Sequence, residues 1–85
     1  MFSEEVALSK HAQGALAKRQ ISREWLDRVL DAPEWIEADR VTPELEHRLG
    51  RVPEFGDRVL RVIVNRSIQP NTVVTLFFDR RRNQL

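Results

Sequence analysis

The hydrophobic period of this chain changes at Pro33, and that change constrains the fold more than any other feature. Upstream of it, buried-type residues fall three and four apart. Ala12, Ala15, Leu16 and Arg19 share one stripe, and Trp25, Leu26, Val29 and Leu30 share another, the spacing of a helix with one covered face. Downstream, apolar and polar residues alternate, the period of a strand. Proline lacks an amide hydrogen and pushes the preceding residue out of helical geometry, so the helical half stops there.

Serines open both helices. Ser9 is placed as an N-cap, and Gly14 makes that first helix dependent on packing, at a cost of about 1 kcal/mol. It is expected to end near Arg19 or Gln20. Ser22 caps the second, with Glu24 in the first turn, where the helix dipole favours a negative charge. Ile21 and Leu26 stand at the two positions of a hydrophobic staple. With only a short turn between them, the helices are expected to form a hairpin-like pair.

Four strands are expected after Pro33. The first is the edge-like "EWIEAD". In "ELEHRLGRV", Leu45, His47 and Leu49 point one way and Glu44, Glu46 and Arg48 the other. "DRVLRVIVN" is the clearest, with Val59, Arg61 and Ile63 opposite Leu60, Val62 and Val64. "TVVTLFF" is rich in β-branched and aromatic residues. The connection "RSIQPN" is too short for a crossover, so the last two strands should pair antiparallel. The expected fold is α+β: two N-terminal helices packed on one face of a mainly antiparallel sheet of about four strands, in one domain over residues 1–85.

Composition narrows the function classes. The chain has no cysteine and two histidines, so a disulfide framework and a thiolate metal site are excluded, and neither a metal nor a cofactor is expected. No apolar run approaches the eighteen or so residues of a membrane span. "MFSEEVALSK" carries acids where a secretion signal carries bases, and a cytoplasmic location is expected. Charge is unevenly spread. Residues 1–42 hold six basic and eight acidic side chains, whereas residues 43–85 hold eight basic and five acidic, and all eight of those bases are arginines. The planar guanidinium fork fits phosphate and carboxylate, which points to a polyanion partner such as RNA.

The candidate chemistry follows from that. His11, two residues past an N-cap, meets the positive end of the helix dipole and could serve as a neutral general base. Arg19 lies about 12 Å further along the axis. Arg61, on the clearest strand, is a candidate clamp for phosphate charge in a transition state. His47 and Asp79 are secondary candidates, Asp79 as the group that holds Arg61, Arg80 or a histidine in place. Arg51, Arg80, Arg81 and Arg82 are candidate phosphate contacts, or a charged rim that guards a sheet edge. Phe77 and Phe78 read as core. The three glycines are scattered, so there is no phosphate-binding glycine loop.

Several short segments in a particular order resemble a known family. Lys10-His11-Ala12, Arg19-Gln20-Ile21, Pro33, Gly50-Arg51, the valine-rich Leu60 to Val64 and Val73-Val74-Thr75 are similar to the pattern of the bacterial domain-of-unknown-function family 4258. The resemblance runs from about Ser9 to Asp79. It implies a distant similarity to RelE/ParE-like ribonuclease toxins, with His11, Arg19, Arg61 and Thr75 as the site. On that implication a ribose 2′-hydroxyl attacks the adjacent phosphate without metal, His11 acts as base or acid, and Thr75 donates a hydrogen bond. Two positions depart from the pattern: Ala15 stands where many members carry an arginine, and Gln20 where glycine is usual. The expected function is a metal-independent ribonuclease-like toxin domain. The alternative is a non-catalytic module that binds nucleic acid or protein through the arginine-rich half. Expected partners are RNA, a cognate antitoxin or other protein, or a second copy paired through a strand edge, with no membrane association.

Overall fold

The computed structural model describes residues 6–82, so the ends of the expected 1–85 domain, including the acids of the N-terminal stretch and residues 83–85, lie outside the described residues. Strand β1 (Val6–Leu8) leads into helix α1 (Lys10–Lys18) and helix α2 (Arg23–Asp31). Strands β2 (Trp35–Ala38), β3 (Leu45–Val52), β4 (Arg58–Asn65) and β5 (Asn71–Phe78) follow, with a short 3-10 turn at Pro53–Phe55. The strands form one sheet in the order β1-β5-β4-β3-β2. The expected α+β class therefore holds, with five strands rather than four.

The additional strand is β1. It pairs with β5 in parallel, Val6 opposite Asn71 and Leu8 opposite Val73, while the other three pairings are antiparallel. Three residues are too few to show a period, which is why alternation did not reveal it. A parallel neighbour is possible because α1, α2 and three strands separate β1 from β5 in the chain.

Both helix caps form as the serines imply. The Ser9 hydroxyl accepts the Ala12 amide at 3.0 Å, and the Ser22 hydroxyl accepts the Glu24 amide at 3.1 Å. The helices do not form the expected hairpin-like pair. Each packs on the sheet instead, α1 over β5 and β1, α2 over β3 and β4. The reason is in the turn. Gln20 adopts a left-handed φ of 55°, and Ile21, which is buried, anchors the chain as it swings α2 across the sheet.

One continuous core lies between the helices and one sheet face. Ala12, Ala15, Ile21, Leu26 and Val29 meet Val52, Leu60, Val62, Val64, Val73 and Leu76. Val73 and Leu76 are three apart, which strict alternation forbids. A bulge reconciles them: Ile63 pairs with Thr75 and Val64 with Val73, so Val74 is an extra residue on β5. Gly50 permits the close approach of α2, since a Cβ there would stand 3.2 Å from Val29 Cγ2. Arg48 is buried under the end of α2, where it donates to the Leu30 carbonyl at 3.2 Å and to Glu46 at 2.7 Å.

Candidate nucleic-acid interface

On β4 the side chains of Leu60, Val62 and Val64 go to the core, so Arg61 projects from the face that the helices leave uncovered. His47 stands opposite Ile63 in the register, and Leu49 opposite Arg61, which puts His47 on that same uncovered face. The Leu45–His47–Leu49 side therefore faces away from the helices. The Arg61 side chain is nonetheless only 14% exposed.

Four of the five N–H donors of Arg61 are engaged or share a partner. Nε and Nη2 donate to Asp79 Oδ2 at 2.9 and 2.7 Å. Nη1 donates to Glu37 Oε1 at 3.2 Å and to His47 Nδ1 at 2.7 Å. A guanidinium has no acceptor, so His47 Nδ1 receives, and its Nε2–H donates to Asp39 Oδ1 at 2.7 Å. Arg82 adds a further ion pair to Glu37. Burial raises the Asp79 carboxyl, but hydrogen bonds from Arg61 and from the Arg81 amide, with the two nearby charges, outweigh it and leave Asp79 below its ordinary value. Asp39 is also lowered, chiefly by the Thr42 amide, then by His47 and the Val41 amide.

These groups border a cleft of about 570 Å³ that also includes Arg40, Val41, Phe77 and Arg81. Its central arginine is neutralised by carboxylates and both nitrogens of its histidine are committed. Its centre is a hydrogen-bonded network, and its unpaired cations, Arg40 and Arg81, stand at the border.

A second cleft, of about 500 Å³, has the opposite chemistry. It is lined by Arg19, Phe55, Arg58, Phe77, Phe78 and Arg80, three cations and three aromatic rings with no carboxylate. Arg19 is the C-cap of α1. Arg58 begins β4 and its guanidinium sits 4.5 Å over the Phe55 ring. Arg80 belongs to the turn after β5. That turn is fixed by Asp79, whose amide donates to the Val59 carbonyl at 2.8 Å and whose carboxylate accepts the Arg81 amide at 3.0 Å. Arg80 is thereby sent to one cleft and Arg81 to the other. Among the described residues, Arg19, Arg58 and Arg80 have no carboxylate partner, and neither do Arg40 and Arg81 of the first cleft. Arg23, Arg28, Arg48, Arg51, Arg61, Arg66 and Arg82 each have one.

The residues named from sequence thus separate. His11 is exposed on α1, with Nε2 3.2 Å from Thr75 Oγ1 beside the β5 bulge. That joins two of the four proposed site residues, while no hydrogen bond links His11 to an arginine among the described residues. Arg61 keeps company with His47 and Asp79, as described, and Arg19 with Arg80 in the second cleft. Arg51 pairs with Glu34 at 4.0 Å and lies 5.3 Å from the Trp35 ring centre. Arg58 and Phe55 were not nominated from sequence. A signal for them was present in "RVPEFGDRV": an aromatic residue inside a proline–glycine turn, with an arginine three positions on, sits at the surface end of the strands.

Among the described residues no group of three or more histidines and carboxylates is arranged to hold a metal ion, and no helix is long and apolar enough to cross a membrane. No curated protein and no solved structure matches the chain. One family model matches, described as a domain of unknown function (DUF4258), over residues 8–78. That span runs from the last residue of β1 to the last of β5, and the chain accordingly belongs to the DUF4258 family.

Proposed function

We propose that the domain binds single-stranded RNA through the Arg19–Arg58–Arg80 cleft. The observation that carries this reading is the lining itself: three arginines without carboxylate partners, interleaved with three phenylalanines. Single-stranded nucleic acid is held by such a pairing, because cations follow the phosphates while aromatic and guanidinium planes stack on bases of any sequence. Seven other arginines answer acids of the fold, whereas these three have no carboxylate partner among the described residues.

A second reading, cleavage of the bound RNA, has its own observation in the His11–Thr75 contact. Helix α1 packs along β5 and carries His11 in its first turn and Arg19 at its C-cap. RNA in the cleft therefore extends naturally toward His11, about 12 Å along the helix axis. In this reading the likeness to RelE/ParE-like toxins applies, and His11 takes the 2′-hydroxyl proton while Thr75 orients the ring.

Labelled RNA distinguishes the two. Wild-type protein is expected to retain it, and Arg19→Ala with Arg80→Ala to lose it by tenfold or more, roughly 1.4 kcal/mol. If cleavage accompanies binding, His11→Ala should reduce it by about a hundredfold and leave retention intact. Equal retention by wild type and the double variant contradicts the binding reading.

A further inference from the structure

Three arginines alone would serve any polyanion, but in this cleft they stand among grouped aromatic rings. Phe55 lies 5.6 Å from Trp25 with the ring planes only 24° apart, and 5.0 Å from Phe78. Arg58 covers the Phe55 ring at 4.5 Å. The volume of about 500 Å³ falls within the range of small-ligand sites, about 300–1,000 Å³, which is room for one nucleotide rather than a length of strand.

We infer that this cleft is a mononucleotide subsite, in which the Arg58–Phe55 stack takes the base and Arg19 and Arg80 take the phosphate. The inference rests on the RNA-binding reading and names the unit recognised. A guanidinium plane is a stacking surface for any nucleobase, and one already ordered against a ring loses less freedom when the base arrives. Arg19 and Arg80 come from two different elements, the end of α1 and the turn after β5. Their donors can converge on one phosphate from two sides. No carboxylate lines the cleft to repel it. An acidic peptide would use the same cations and leave the stack empty.

Adenosine 5′-monophosphate, ribose 5-phosphate, adenosine and inorganic phosphate are titrated into the protein by calorimetry. Trp25 fluorescence in a Trp35→Phe background reports the cleft, since Trp25 packs on Phe55 whereas Trp35 lies near Arg51 and Arg82. The nucleotide is expected to bind at least about tenfold more tightly than ribose 5-phosphate or adenosine, and to change Trp25 emission. Arg58→Ala should erase the advantage of the base without weakening ribose 5-phosphate. Arg19→Ala and Arg80→Ala should weaken both phosphorylated ligands. All three arginines are exposed, so the variants should fold.

Equal affinity for the nucleotide and for ribose 5-phosphate would overturn the base assignment. So would displacement of the nucleotide by an equimolar glutamate-rich peptide. A protein that binds RNA through these arginines but no mononucleotide would sink the subsite and keep the RNA reading. RNA binding that is indifferent to Arg19 and Arg80 would sink the reading beneath both.

Discussion

The Arg61 guanidinium is held between the carboxylates of Asp79 and Glu37. Asp79 was identifiable as a holder of Arg61, because it directly follows the strand that pairs with β4. Glu37 was not, since an edge strand brings it in from 24 positions away, and Asp39 from the following loop holds His47. Removing the guanidinium leaves Asp79 and Glu37 facing each other without it. Arg61→Met should therefore cost about 3 kcal/mol in denaturant unfolding. The acid limb follows from Asp79. Its native value lies below its unfolded one, so its contribution is complete above about pH 4 and is lost as pH falls through the native value. Asp79→Asn should flatten the stability profile in that acid window, which pH-dependent urea melts would reveal. Gln20 carries a left-handed φ of 55°, which explains why glycine would suit the position. Gln20→Gly should raise stability by about 0.5 kcal/mol, and a β-branched residue there should lower it, read from thermal melts.

Elements were legible wherever a period had room to repeat. The two helices and four strands follow from spacing, caps and Pro33, and the serines' roles from chemistry alone. What spacing could not convey was β1, with three residues, and the bulge at Val74, which only the β4 partner defines. Ser9 joins the two. Its amide donates to the Val73 carbonyl at 3.0 Å, and its hydroxyl caps α1 while donating to the Val74 carbonyl at 3.2 Å. A cap that also holds the bulge should matter more than one that only caps. Ser9→Ala is expected to cost about 2 kcal/mol and Ser22→Ala about 1 kcal/mol. Equal losses in parallel melts would mean that the bulge contact contributes nothing.

At the scale of the whole molecule, the arginines of both halves resolve into paired and unpaired populations. One serves the fold, through Asp79, Glu37, Glu46, Glu54 and Glu34. The other faces outward, and Arg19, Arg58 and Arg80 bring three of its members to one cleft from three separate elements, while Arg40 and Arg81 border the other. Charge counting along the sequence detected the excess but could not sort it, because pairing is decided by tertiary neighbours. The apolar last strand read as core, and Phe78 does pack against it, yet Phe77 and Phe78 are both half-buried and line the cleft. The candidate site was thus legible as a composition and only partly as a list of residues.

The most direct test is the salt dependence of RNA affinity, measured for the wild type, for the triple variant Arg19→Ala, Arg58→Ala, Arg80→Ala, and for Arg66→Ala, whose guanidinium is paired with Glu46. Each phosphate contact contributes about 0.7 to the slope of log affinity against log salt on a single strand. With Arg19 and Arg80 on phosphate and Arg58 stacked on a base, the triple variant should therefore lose about 0.7 to 1.4 units of slope, and Arg66→Ala should keep the wild-type value. A triple variant with the wild-type slope would contradict the account.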